Sequence, residues 1–420
     1  MVIGSGGREH ALLWKLAQSR GVGALFCAPG NAGTSAFAEP IAVRATDIPG
    51  IVQAATDHRI DLVVVGPEDP LADGLVDALS VAGIAAFGPT AAAARIESSK
   101  AFAKEIMAAA GIPTGRSVAV TDLAEGVTAL SSFSLPVVLK ADGLAAGKGV
   151  VICERRAEAV RFLTAMLDDR MLGEAGQTVL IEEFLTGPEI SILSLTDGET
   201  IRSLAPARDS KRAFDGDAGP NTGGMGVYAP LLDVDAAMLD QIHAEVLIPT
   251  IREMARRGTP FRGVLFTGLI LTADGPKVLE YNARFGDPET QVVLPLLKSD
   301  LFPLLRGVAD GNLADVPEPV LRNESAVGVV LASGGYPGPY PTGLPISGLD
   351  DVPTDVTVFH AGTRLDADGR VVTAGGRVLT VVATGPDLAT ARDRAYAGAD
   401  RITFDRRHLR RDIALGAART

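Results

Sequence analysis

Lysine is scarce in this chain, 8 residues against 31 arginines, so the positions that keep it invite a chemical reading. A lysine is a compact, mobile point charge that can follow a moving phosphate, whereas arginine suits fixed planar forks. Lys100, Lys140, Lys148 and Lys211 fall in stretches where such a charge has a use, while Lys15, Lys104, Lys277 and Lys298 read as solvated surface residues. Lys140 ends the apolar run Pro136-Val137-Val138-Leu139 and is followed by Ala141-Asp142-Gly143-Leu144-Ala145-Ala146-Gly147-Lys148-Gly149 and a second apolar run. A glycine loop between two strands can close over a triphosphate. Its backbone N–H groups, at Gly143, Gly147 and Gly149, and Lys148 would hold the outer phosphates, and Lys140 would reach the inner ones. A P-loop fits poorly, because that motif needs four residues between its glycines, Ser or Thr after the lysine, and a following helix. The plain structural alternative is a hairpin.

Acidic and amide groups suited to the other half of such chemistry lie downstream. Glu280 and Asn282 are one residue apart on an apolar strand, so both side chains share a face. Mg²⁺ prefers oxygen donors and shares its shell with phosphates and water, so one carboxylate and one amide suffice. Arg284, just beyond, suits a carboxylate or phosphate, and the run continues to Asp287. At the exit of Val179-Leu180-Ile181-Glu182-Glu183-Phe184-Leu185 an adenine can pair with backbone groups, and Glu189 can accept from ribose hydroxyls. Asp209-Ser210-Lys211-Arg212 and the glycine-dense Gly219 to Gly226 make a long polar stretch, of the kind that is functional or disordered inside a compact domain. Its mixed charge favours a zwitterionic or phosphorylated ligand. Read singly, each acid could equally be a solvated loop or sheet-edge residue.

The elements that must position these groups follow from hydropathy. Residues 1–97 alternate short apolar runs (Met1 to Gly4, Ala24 to Ala28, Ile60 to Gly66, Ile84 to Gly88) with amphipathic stretches, the pattern of a doubly wound parallel sheet. Leu12, Leu13, Leu16 and Ala17 mark one face of its first helix. Ligands bind at the carboxyl ends of such strands, which brings forward Gly6 and Gly7 in the first loop and Asn31 and Gly33 in the second. The third glycine of a dinucleotide fingerprint would fall at Glu9, which disfavours a nicotinamide cofactor and leaves a phosphate-bearing small molecule. Residues 98–186 read as a small α+β domain opened by a helix from Lys100 to Ala110. Residues 187–322 read as a larger α+β block with a hairpin from Gly263 to Asn282 turned at Ala273-Asp274-Gly275. Residues 323–420 read as a mostly β domain with a helix near Leu388 to Ala397, given to packing and substrate closure.

Composition limits the function classes. A chain of 420 residues with 47% apolar content builds several domains. No run approaches the roughly 20 apolar residues of a membrane span, and no secretory signal opens the chain, so a cytoplasmic enzyme is expected. A net charge of −12 argues against nucleic acid and anionic membranes as partners. Cys27 and Cys153 read as core thiols. Of five histidines only His10 lies in a motif, so no catalytic triad is suggested.

Taken in order, Gly6-Gly7-Arg8-Glu9-His10, Pro29 to Gly33, Lys140 to Gly149, Gly219 to Gly226, Asn282 with Arg284 to Glu289, and Arg411-Asp412-Ile413 closely resemble the phosphoribosylamine–glycine ligase family along essentially the whole chain. The resemblance implies an ATP-grasp fold behind an N-terminal doubly wound domain, ATP and Mg²⁺ or Mn²⁺ as cofactors, and glycine and 5-phosphoribosylamine as substrates of a monomer. It places ATP on Lys100, Lys140, Lys148 and the 182–189 stretch, and the metal on Glu280 and Asn282. Gly6, Gly7, Asn31, Gly33, Asp209, Lys211, Arg284 and Asp287 would bind the substrates, with Lys140, Lys148 and Arg284 carrying catalysis. Two departures stand out: the first strand, Met1-Val2-Ile3, is short for the family, so that the start lies upstream or the strand is clipped, and Ser210 stands where relatives often carry histidine.

Overall fold

The computed structural model describes residues 1–143, 149–171 and 173–417. Its N-terminal part is a five-stranded, all-parallel sheet in the order Glu39–Pro40, Phe26–Pro29, Val2–Gly4, Val63–Val65, Ala86–Phe87. Successive side chains of a strand point to opposite faces. Val2 and Val64 accordingly enter one apolar cluster with Leu12, Leu13 and Leu16, while Ile3, Val63 and Val65 enter another with Ile51, Leu75 and Leu79. Both faces are therefore covered, as a parallel sheet requires. Strand order reverses beside Val2–Gly4, so the crevice for a ligand opens at Gly4 and Gly66.

Glu9 fills part of that crevice. Its carboxyl accepts from Gly6 N at 2.5 Å, and a Cβ at Gly4, Gly6 or Gly66 would lie 2.7, 2.8 and 2.1 Å from its atoms. The glycines of this turn thus make room for a protein carboxylate, and the Gly6 N–H expected to seat a phosphate is taken by Glu9.

The small domain is an antiparallel sheet ordered Ser117–Val120, Val179–Glu183, Val137–Ala141, Val150–Cys153. Val137, Leu139, Ala141, Cys153 and Ile181 pack on one face against Leu130, Phe133 and Leu163, leaving the other face to a cleft. Both cysteines are buried and unpaired. The helix Lys100–Ala110 begins where Ser99 caps Phe102 N and ends at Gly111, whose φ of 68° suits a residue without Cβ. A second antiparallel sheet, ordered Ile201–Ser203, Glu189–Thr196, Gly263–Thr272, Gly275–Asn282, faces the first across the cleft. Its hairpin closes between Thr272 and Gly275.

A five-stranded sheet combines Arg208–Asp209 and Gly226–Ala229 with Ser325–Ala332, Arg377–Gly385 and Val356–His360. It crosses the boundary expected between residues 322 and 323. The helix Leu388–Ala399 packs on it. Among the described residues, no helix is long and apolar enough to cross a membrane.

Two lysines expected at the surface are inside. Lys15 is 5% exposed and donates to Leu297 O, at the carboxyl end of the helix Glu289–Leu296 where a cation is favoured. Lys104 reaches the cleft described below.

The N- and C-terminal parts meet at two imidazoles. His360 N donates to His10 Nδ1 at 2.8 Å, and Asn31 Nδ2 donates to His360 O at 2.8 Å. Burial, reinforced by His360, holds His10 down to about 3, and burial holds His360 down to about 4. An imidazole freed by unfolding binds its proton near about 6.5, so the unfolded chain gains protons first as pH falls and stability drops from that point downward. The melting temperature is expected to fall between about pH 7 and pH 5, and a His10→Gln variant should lose less over that interval. Equal losses in both proteins would show that the buried imidazole has no part in it.

Candidate active site

Cross-strand register sets the cleft face of the small domain. Lys140 lies opposite Val150 and Leu180, and Val138 lies opposite Ile152 and Glu182; directly opposed residues share a face. Lys140 therefore stands beside an apolar patch of Val138, Val150 and Ile152, a surface suited to a flat ring. None of these three drew attention in the sequence, where they read as ordinary strand residues.

Lys140 Nζ is 2.9 Å from Glu182 Oε2 and donates to Leu279 O at 3.2 Å. That carbonyl is available because the register of Gly263–Thr272 with Gly275–Asn282 slips between Gly268, opposite Glu280, and Leu269, opposite Val278. The extra residue is Leu279, and a bulge of this kind interrupts the ladder and re-aims the neighbouring side chain. That neighbour is Glu280. Solvent reaches it, yet protein crowds it on most sides, as expected of a group on a cleft floor. Burial would push its carboxyl up, but Lys211, Lys140, Arg284 and Lys100 together outweigh this and hold it below the usual carboxylate range. Beyond the bulge Glu280 and Asn282 fall on one face, opposite Gly268 and Phe266.

The start of the glycine loop is tied to the helix Lys100–Ala110. Asp142 accepts from Ser99 Oγ and Ala101 N, both at 3.1 Å, and Lys100 Nζ donates to Gly143 O at 2.8 Å. Asp142 thus serves one free N–H group at a helix start and the hydroxyl that caps another. Gly147 and Lys148 lie outside the described residues. Gly149 O accepts from Ala141 N at 2.7 Å. Glu183 N donates to Arg116 O at 2.9 Å, and the Glu183 carboxylate accepts from Arg116 N at 3.1 Å. Phe184 and Leu185 are half-buried at the strand exit.

Glu189 was expected to face a ribose. It pairs with Lys211 Nζ at 2.6 Å, which places it with Asp209 in an acidic group around one lysine. Burial raises the Asp209 carboxyl against the pull of Lys211, while Lys211 is raised because Asp209, Glu280 and Glu189 outweigh its burial. Glu289, which sequence reasoning had not singled out, joins them: burial and then Asp209 push it up to about 7.

Arg284 Nε lies 3.1 Å from Glu68 and its Nη2 3.1 Å from Glu97. Glu97 Oε2 also accepts from Ala283 N at 2.7 Å, so an acid preceding Lys100 by three residues fixes the segment that carries Arg284. Asp287 accepts from Arg8 N at 3.4 Å and from Gln291 Nε2 at 2.8 Å. It also faces Arg377, which lies 3.4 Å away and donates to the Asp287 and Gly223 carbonyls. The C-terminal part therefore reaches the site through Arg377, a link between residues 90 positions apart that leaves no local trace in sequence. The Asn31 side chain is committed: Nδ2 donates to Ser5 O and His360 O, and Oδ1 accepts from Gly33 N and Thr34 N. Gly33 sits where a Cβ would come within 2.6 Å of both imidazole rings. These bonds and this close approach fix the shape of the loop that carries Asn31 and Gly33.

The cleft has the inventory for moving a phosphoryl group onto a carboxylate: cations on both walls, a carboxylate and an amide on the floor, and no protein nucleophile needed. Comparison with known proteins agrees in kind. The family model for the phosphoribosylglycinamide synthetase N domain matches residues 1–97, that for its ATP-grasp (A) domain residues 98–290, and that for its C domain residues 326–416. A phosphoribosylamine–glycine ligase of Streptomyces coelicolor is 52% identical over 422 residues, 100% of this chain and 99% of its own. The human trifunctional purine biosynthetic protein adenosine-3 is 47% identical, spanning 99% of this chain and 42% of its own. The crystal structure of the Thermotoga maritima phosphoribosylamine–glycine ligase aligns at a TM-score of 0.86 with 34% identity, covering 98% of this chain and 99% of its own. A Campylobacter jejuni biotin carboxylase aligns at 0.74 with 17% identity, covering 96% and 91%, a likeness of fold alone. Matched from end to end by sequence and by structure, the chain belongs to the phosphoribosylamine–glycine ligase family of ATP-grasp enzymes.

Proposed function

We propose that this chain joins glycine to 5-phosphoribosylamine at the expense of ATP, giving glycinamide ribonucleotide, ADP and phosphate through glycyl phosphate. The observation that carries the reading is the set of four cations, Lys211, Lys140, Arg284 and Lys100, acting on the single carboxylate Glu280 on the cleft floor. In the first step a glycine carboxylate oxygen attacks the γ-phosphorus and the bond to ADP breaks. In the second the amine of phosphoribosylamine attacks the acyl carbon, phosphate leaves with the oxygen that carried it, and the nitrogen loses a proton. Lys140 and Lys100 face the phosphates, with Lys148 and the glycine loop contributing from outside the described residues. Val138, Val150 and Ile152 seat the base. Lys211 with Asp209 and Glu189 receives zwitterionic glycine, and Glu289, pushed up to about 7, is suited to accept a proton. Arg284, Asp287 and the N-terminal loops face the phosphorylated acceptor.

Glu280 and Asn282 fit a divalent ion of the Mg²⁺ or Mn²⁺ type. They share a strand face, with Gly268 opposite Glu280, and make an oxygen-donor pair suited to an ion that would complete its shell with phosphate oxygens and water. Held there, such an ion would offset negative charge on the transferring phosphoryl.

Lys140→Ala and Glu280→Ala should each cut turnover by ~100-fold or more, since each removes a group facing developing charge; near-normal rates in folded variants would exclude them. ADP release is to be measured with ATP, Mg²⁺, glycine and freshly generated phosphoribosylamine, omitting one at a time. Dependence on all four, with glycinamide ribonucleotide formed, supports the reading. Turnover without phosphoribosylamine would point to another amine acceptor, and ATP binding without turnover to a regulatory protein.

A further inference from the structure

Lys104 lies one turn beyond Lys100 on the helix Lys100–Ala110, on the same side. Its side chain is only 12% exposed. Nζ donates to Thr114 Oγ1 at 2.8 Å and to Gly115 O at 3.2 Å, and stands 3.5 Å from Glu182 Oε2. Of the three N–H donors of an ammonium, two are hydrogen-bonded to protein oxygens, and the charge itself is paired with Glu182. The oxygen it faces is the same one that Lys140 Nζ approaches at 2.9 Å. Thr114 in turn donates to Val278 O at 2.6 Å, on the strand that carries Glu280. Lys104 therefore stands between the two walls of the cleft, bound to the small sheet through Glu182 and to the central sheet through Thr114.

The charge count gives this placement a consequence. Lys140 and Glu182 alone would form a neutral pair, and Lys140 would be held by its carboxylate. With Lys104 the trio carries one net positive charge, and Glu182 divides its attraction between two ammonium groups. We propose that Lys104 is a positioning residue for the nucleotide: its charge on Glu182 keeps Lys140 available to the phosphates of a nucleoside triphosphate, which Lys104 itself never touches. This role rests on the reading of the cleft as a nucleotide site.

Lys104→Met keeps the length of the side chain and removes its charge, while Lys104→Arg keeps the charge. In folded full-length protein, calorimetric titration with ATP and Mg²⁺ should show about tenfold weaker binding for Lys104→Met, as expected when a charged partner is lost from a buried group. KM for ATP should rise in parallel, KM for glycine should stay within about twofold, and Lys104→Arg should recover most of the loss. In a Glu182→Gln background the same substitution should change ATP affinity by less than about threefold, because the carboxylate through which it acts is gone. A Lys104→Met protein that melts at lower temperature but binds ATP as the unaltered protein does would overturn the proposal and leave Lys104 as packing. Equal effects with and without Glu182 would overturn it too. Failure of the unaltered protein to bind ATP would instead remove the nucleotide reading itself, and the role with it.

Discussion

Glu280 is an acid in a field of cations, and the rest of the structure can be understood by what keeps it there. A carboxylate on a cleft floor is costly when crowded by protein, and this one is held charged because Lys211, Lys140, Arg284 and Lys100 converge on it from separate segments. Those cations would repel one another without it, and three of them are further offset by a second acid: Glu182 for Lys140, Glu189 for Lys211, Glu68 and Glu97 for Arg284. The result is a preassembled set of charges that a polyphosphate and its counter-ion can enter by exchanging partners. Such preorganisation serves phosphoryl transfer, where positioning and charge neutralisation matter more than covalent help.

The backbone is arranged for the same end. The bulge at Leu279 turns Glu280 and frees the Leu279 carbonyl for Lys140, so one irregularity supplies both a carboxylate on the floor and a tether between the two sheets. Asp142 does similar work at the glycine loop, joining its first residues to a helix start. On the far side Arg377 holds the Asp287 turn and the Gly223 carbonyl, and the continuous sheet beneath makes the C-terminal part a wall of the site. These contacts tie N-terminal loop, central block and C-terminal sheet into one frame, which serves a two-step reaction with an unstable intermediate by fixing groups from distant segments relative to one another.

Much of this was legible in sequence where the signal is local. The helix Lys100–Ala110 could be bounded because its stop signal, Gly111, is adjacent and its amphipathic face is regular, and the hairpin turn at residues 273–275 because turn chemistry is confined to its own residues. The N-terminal runs marked four of the five strands of the sheet, missing Glu39–Pro40, and mostly ran too long. Ile60 to Gly66 narrows to Val63–Val65 because the ladder extends only as far as its partner Val2–Gly4, while Leu62 is simply buried. Glu280 and Asn282 share a face as strand period predicts, although a bulge intervenes just before them. What stayed hidden depends on contacts distant along the chain. Lys104 reads as an ordinary surface lysine until Glu182 is brought against it, the Asn31 bond to His360 joins residues 329 positions apart, and nothing beside Glu97 in sequence announces Arg284. Glu9 was the exception, a residue whose mismatch to a familiar fingerprint disfavours one cofactor in sequence, and whose side chain lies in the crevice concerned.

In the proposed reaction this charge array activates glycine by moving a phosphoryl group onto its carboxylate. Glycine labelled with ¹⁸O in both carboxylate oxygens, supplied with ATP, Mg²⁺ and phosphoribosylamine, tests it in one turnover experiment read by mass spectrometry of the released phosphate. An acyl phosphate intermediate delivers one ¹⁸O from glycine to each phosphate formed alongside glycinamide ribonucleotide. Product formed with unlabelled phosphate would mean that the carboxylate is never phosphorylated, and would contradict the account.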